Sequence, residues 1–290
     1  MGITDLNFLY FFDTRHEEKS KEKIDGKKAG NEIDRTQVHL SEKGKQNSRE
    51  MGKKILGMRP YFSHITFIHS GFIRAVETGQ TFLEGGEYER QAYNVQKAIE
   101  KVADELPENQ HYTAGDNGSL GIIEEPGISL SNVDWYHPGI PDWTKLDEDI
   151  VIKEMLKNFY KPQKGTQAPS MAKYAGEFLD AKIQAIETEM RIGKMKSMVL
   201  FTTHAPVIDA AAAALGGYFH VDKQGNPILD EEQFPGAFAQ GEAIMGHCLY
   251  ESHERNPMIE LFFKGKQSIC NLKDLKEIRD IHLNVYEKFK

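Results

Sequence analysis

Asn7-Phe8-Leu9-Tyr10-Phe11-Phe12-Asp13-Thr14-Arg15-His16 is a short apolar run rich in aromatics that stops at a polar Asp-Thr-Arg-His step. A strand with one wet face alternates apolar and polar residues, so this continuous texture predicts a strand buried on both faces. His64-Ile65-Thr66-Phe67-Ile68 repeats the pattern and runs into His69-Ser70-Gly71, after which Phe72 to Phe82 takes up helical spacing and puts Arg74 in a first turn. Met198-Val199-Leu200-Phe201-Thr202 does the same before His204, with Pro206 suited to a first helical position and an Ala-rich helix over Val207 to Leu215. Strands separated by helices predict an α/β fold with a mainly parallel sheet and helices on both faces. Ligands of such sheets collect beyond the carboxyl ends of the strands.

Outward from these units, Glu17 to Glu32 reads as a solvated, charged loop, and Ser41 as the cap of a helix over Glu42 to Leu56 that stops at Gly57. Further helices are predicted over Tyr88 to Leu106, Glu148 to Tyr160 and Met171 to Ile192, with an irregular stretch up to about Trp143. Met258 to Phe263 and Gln267 to Cys270 read as strands around Lys264-Gly265-Lys266, and a closing helix starts at Leu272. The expected organisation is a single domain with an irregular and helical insertion over about 85–195 and a β-rich excursion over about 217–271.

The chain has 290 residues, 39% hydrophobic and 28% charged, which suits a packed core. With 36 Lys and Arg against 44 Asp and Glu the net charge is −8, which argues against nucleic acid as a partner. A small phosphorylated ligand responds to the nearest charges more than to distant screened ones, so phosphate chemistry stays open. Cys248 and Cys270 form no CxxC pair, and neither a disulfide framework nor a thiolate metal site is expected. His247 and His253 are six apart and share no clear helical face, so they do not make a metal pair. No apolar run approaches membrane-spanning length. Leu6 stands where a myristoylation pattern wants Ser or Thr, and Met1 to Leu6 lacks a leader's basic flank and apolar segment. A cytoplasmic protein without membrane attachment is expected.

The chemistry lies at the strand ends, where Arg15 and His16, Ser70 with Arg74, and His204 would converge if the strands align. Helix N-termini bring unpaired N–H groups and positive dipoles to the same place, which suits a phosphate. Arginine donates paired hydrogen bonds to phosphate oxygens and keeps its charge. A neutral imidazole can instead attack phosphorus, dividing one difficult displacement into two easier ones. A protonated second histidine would stabilise charge on the equatorial oxygens.

Four segments together resemble the histidine phosphatases, the family that includes the cofactor-dependent phosphoglycerate mutases. Asp13-Thr14-Arg15-His16 is similar to its Arg-His-Gly segment and Leu40-Ser41-Glu42-Lys43-Gly44 to its Leu-Thr-x-x-Gly helix start. Ser70-Gly71-Phe72-Ile73-Arg74-Ala75-Val76-Glu77-Thr78 resembles Ser-x-x-x-Arg-Ala-x-x-Thr, and Thr203-His204-Ala205-Pro206-Val207-Ile208 the segment of the second histidine. The likeness spans roughly residues 6 to 215. It implies a three-layer α/β/α sandwich and a phosphomonoester hydrolase with His16 as nucleophile. Arg15, Arg74 and His204 would bind the phosphoryl group, with Ser70 adding a contact and neither metal nor organic cofactor required.

Glu17 departs from the family's glycine after the histidine; its carboxylate is a candidate substrate contact that could crowd or repel the phosphate, point to solvent, or orient a substrate amine. Ala205 cannot transfer a proton, so the acid for the leaving group must come from elsewhere. Ile123-Glu124-Glu125-Pro126-Gly127-Ile128 resembles a Val-Glu-Pro-Gly-Leu segment whose glutamate before proline is the acid, which makes Glu125 the first choice and Glu124 the second. Trp135-Tyr136-His137-Pro138 and Trp143 either line the entrance or anchor a long loop. The expected substrate is a small or aromatic phosphomonoester. A phosphoglycerate-type mutase and a phosphate-binding module without turnover are the alternatives, and a homodimer is left open.

Overall fold

A computed structural model describes residues 6–18, 38–57, 62, 64–69, 73–87, 110–115, 120–124, 152, 155–156, 171–193, 196–221, 227–230, 233, 235–251 and 253–289. The first strand, β1 (Leu6–Arg15), is longer than its aromatic run and carries the extended backbone through Asp13 and Thr14 to Arg15. It is followed by α1 (Glu42–Gly57), β2 (His64–His69), α2 (Ile73–Gly85), β3 (Gln110–Gly115), β4 (Leu120–Glu124), α3 (Met171–Ile192) and β5 (Lys196–Thr203). After them come α4 (Ala205–Leu215), β6 (Phe219–Val221), β7 (Pro227–Leu229), β8 (Ala243–Glu251), β9 (Met258–Phe263), β10 (Lys266–Asn271) and α5 (Leu272–Phe289).

One eight-stranded sheet in the order β10-β9-β8-β1-β5-β2-β3-β4 organises the fold, with β6 and β7 forming a separate pair. The expectation of a mainly parallel sheet is corrected here. Only β1, β5 and β2 run parallel to their neighbours. The junctions β8 with β1, β8 with β9, β9 with β10, β2 with β3, and β3 with β4 are all antiparallel. Parallel neighbours need a long crossover, whereas a short turn returns the chain beside itself. Lys264 and Gly265, with φ of 49° and 74°, make such a turn between β9 and β10. Within the β-rich excursion β8, β9 and β10 extend the main sheet while β6 and β7 stand apart, and β3 and β4 fall in the stretch expected to be irregular. The helix expected over Tyr88 to Leu106 lies outside the described residues, and of Glu148 to Tyr160 only 152 and 155–156 are described, all helical.

Alternation along the central strands feeds two hydrophobic clusters. Leu9, Phe11, Ile68, Val199 and Phe201 pack with α3, α4 and α5, and Phe12, Ile65, Phe67, Met198 and Leu200 pack with α1 and α2. Successive side chains of a strand point to opposite faces, so each cluster belongs to one face of the sheet. The Ala-rich run of α4 lets that helix lie close, and its eleven residues are all buried. Ser41 caps α1 as expected, its hydroxyl accepting from Gly44 N at 2.9 Å. Among the described residues no helix is long and apolar enough to cross a membrane.

Candidate active site

The three parallel strands end level with one another: Thr14 pairs with Thr202, and Thr202 with His69. His16 follows one strand end, His204 another, and Arg74 sits in the first turn of the helix after the third. His16 N donates to Thr203 O at 2.8 Å, which carries the pairing of β1 and β5 one residue past the sheet. The rings of His16 and His204 meet edge to face, 5.1 Å between centroids, and Arg74 Nε donates to His16 Nε2 at 3.1 Å.

Those bonds decide which ring nitrogen of His16 carries the hydrogen. Nδ1 lies 2.8 Å from Glu17 O, a carbonyl that only accepts, so Nδ1 carries the hydrogen. Arginine only donates, so Nε2 is the nitrogen with the lone pair, and it points at the guanidinium that would hold an anion. Arg15, Arg74, His16 and His204 are all buried. Burial, followed by electrostatic interaction with Arg74, His16 and Arg15, pushes His204 well below the usual histidine value. The site therefore has a positive potential where the N-termini of α2 and α4 begin.

The four motif segments meet. Besides the contacts of His16 with Arg74 and Thr203, Leu40 N donates to Glu77 Oε2 at 2.6 Å and Ser41 N to Glu18 O at 2.8 Å. Thr78 ties the first segment to the third, its hydroxyl donating to Arg74 O at 2.8 Å and accepting from Glu17 N at 3.2 Å. Thr202 Oγ1 donates to Ala75 O at 2.7 Å and fixes α2 against β5. Thr78 closes the Ser70 to Thr78 segment, and its anchoring role is visible only in the fold.

Glu17 is buried, and burial pushes its carboxyl above the usual carboxylate range, while a hydrogen bond to Asn47 of α1 opposes that rise. Its carboxylate also lies against Gly241, where a Cβ would run into it and where φ is +77°. Only a glycine meets both demands. The Glu17 side chain is thus housed beside a glycine far away in the sequence.

Sequence reading missed the 237–242 turn altogether. Arg15 Nη1 donates to Phe238 O at 2.5 Å, Arg15 N to Glu242 O at 3.1 Å, and Gly241 N to Arg15 O at 3.3 Å. The turn comes to Arg15 because β8 pairs antiparallel with β1, Ala243 against Thr14. Its small residues, with Gly241 inside the turn and Gly236 just before it, are the available signal for a close approach.

Ser70, Glu125, Trp135, Tyr136, His137, Pro138 and Trp143 lie outside the described residues. Phe67 pairs with Tyr112 and Tyr112 with Ile122, and β4 runs in the same direction as β2. Its last residue, Glu124, accordingly reaches the level of His69 at the end of the sheet where His16 and His204 lie. His247 and His253 pair instead with Glu260 and Glu251, each at 3.1 Å.

Fold and site together define a mixed α/β protein with a buried histidine and arginine cluster at the carboxyl ends of its parallel strands. No protein-family model and no curated protein matches the chain. Among solved structures it is similar to a phosphoglycerate mutase from Bacillus anthracis str. Sterne, with 14% identity over 96% of this chain and 98% of that one and a TM-score of 0.40. It is also similar to mycobacterial hydrolase 2, with 16% identity over 96% and 98% and a TM-score of 0.45. A mycobacterial glucosyl-3-phosphoglycerate phosphatase shares 15% identity over 83% and 89%, with a TM-score of 0.42.

Proposed function

We propose that the protein is a phosphomonoester hydrolase of the histidine phosphatase type. The observation that carries the reading is His16 Nε2, held as a lone-pair nitrogen by the Nδ1 bond to Glu17 O and set 3.1 Å from the Arg74 guanidinium and beside His204. In the reaction Nε2 attacks phosphorus, the ester P–O bond breaks, and the leaving oxygen takes a proton from Glu125. Water then displaces the phosphoryl group from Nε2, giving up a proton to the same carboxylate and releasing orthophosphate. Arg15, Arg74 and His204 hold the three equatorial oxygens, with Ser70 as a further contact. The level of β4 supports Glu125, with Glu124 as second choice. The two clusters support the helix, sheet and helix layering that goes with this reading. It takes the chain as a single cytoplasmic domain that acts on a small or aromatic phosphomonoester without metal or organic cofactor.

An aryl phosphate assayed between about pH 5 and 7, where a glutamic acid is partly protonated, tests the proposal. Phosphate release that His16→Ala lowers by at least about a thousandfold is the expected result. Silence of the unaltered protein, or undiminished turnover in the variant, would reject it. Glu125→Gln should slow substrates with poor leaving groups by about a hundredfold and spare strongly acidic ones. Equal slowing of both would remove Glu125 from the acid's role.

A further inference from the structure

Arg15 is gripped at both ends by one turn. Its backbone is fixed by Gly241 and Glu242, and its guanidinium donates through Nη1 to the carbonyl of Phe238. A carbonyl orients a long, rotamer-rich side chain only if its own peptide is held, because function needs the donor within roughly 0.5 Å of its productive place. The carbonyl's own peptide is held by Glu242, whose Oε2 accepts from Ala239 N at 2.6 Å, and two further groups hold the peptide before it, between Ala237 and Phe238. Lys264 donates to Ala237 O at 2.8 Å, with its ammonium 5.3 Å from the Phe238 ring centroid. Asp209 Oδ1 accepts from Phe238 N at 2.8 Å. Asp209 is fully buried in α4, five residues after His204, and nothing in the proposed chemistry uses it.

We infer that Asp209 is a positioning residue for Arg15, acting through the backbone of Phe238. The link runs from carboxylate to N–H on one side of that residue and from C=O to guanidinium on the other. It also joins the helix that starts at His204 to the arginine on the neighbouring strand, so both phosphate ligands are placed from one rigid element. The inference rests on the reading of Arg15 as a phosphoryl ligand.

Asp209→Ala and Asp209→Asn, each with and without Arg15→Ala, are compared in orthophosphate binding by calorimetry and in kcat and KM on an aryl phosphate. Asp209→Ala should weaken orthophosphate binding about tenfold and lower kcat/KM by about ten to a hundredfold, as a displacement near 1 Å does. Asn keeps the oxygen acceptor and should restore both to within about threefold. On the Arg15→Ala background Asp209→Ala should add less than about twofold, since a residue acting through Arg15 has nothing left to act on. An unchanged phosphate affinity in a folded Asp209→Ala protein would overturn the inference. So would an equal loss without Arg15, or a failure of Asn to restore. If the Ala variant does not fold, Asp209→Leu, of similar volume but without an acceptor, takes its place. If the unaltered protein neither binds orthophosphate nor turns over, the phosphatase reading is what fails, and crystal structures of the variants decide the positioning. Loss of the Arg15 to Phe238 bond in Ala but not in Asn sustains it, and retention in both overturns it.

Discussion

His204 shows how one residue reports the character of a site. Its imidazole sits at the start of α4 in an extended backbone, φ −114° and ψ 161°, buried beside two arginines and a second histidine. Burial and that positive company favour the neutral ring. On the proposed reading, a bound dianion would reverse the local field and let the ring take up a proton, giving His204 the charge to stabilise an equatorial oxygen. Sulfate, which does not titrate near neutrality, should therefore bind with net proton uptake at about pH 7. Calorimetry in two buffers of different ionisation enthalpy measures this uptake, and His204→Gln should abolish it. Uptake that survives the substitution would assign the proton to another group.

At the scale of elements, the site depends on how closely α1 and α2 cross. Gly52 of α1 lies against the carbonyl of Phe82, and Gly85 of α2 against the carbonyl of Arg49, so a Cβ at either position would collide with backbone. Ser48 Oγ donates to Thr78 O at 2.7 Å across the same crossing. Backbone cannot swing aside as a flexible side chain can. Gly52→Ala should thus cost about 1–3 kcal/mol by overpacking, although alanine is the better helix former by about 1 kcal/mol. Chemical denaturation provides the measurement, and an unchanged or raised midpoint would show that the helices separate freely.

In the whole molecule, buried ionisable groups set the response to pH. His282 of α5 is buried, and burial lowers its pKa from 6.5 to about 4. Between those values the unfolded chain binds a proton that the folded one refuses, so stability rises with pH through the window. The contribution is complete above 6.5 and is lost as the pH falls toward about 4, for a total of about 3 kcal/mol. His282→Leu, whatever its stability at neutral pH, should show a decline over that window shallower by about this amount. Parallel curves for the two proteins would contradict the argument. Lys182 of α3 and Asp13 of β1 form a buried ion pair at 2.5 Å beneath the site, clamping the strand that carries His16 to the helix layer behind it. Burial raises Asp13 from the usual carboxylate range, and the Lys182 charge opposes the rise.

Local patterns in the chain were enough to identify β1, β2 and β5, the helices after them and the four basic side chains at their ends, because burial on both faces and helical spacing are written in neighbouring residues. Two features depend on partners far apart in sequence: the antiparallel flanks of the sheet, and the turn at 237–242 that grips Arg15. Strand direction in β8 follows from pairing with β1 more than two hundred residues away, and the carbonyl of Phe238 has no side-chain signature at all. Adjacent residues determine which groups are available. Long-range backbone pairing determines where each one is held, and only the folded chain contains that information.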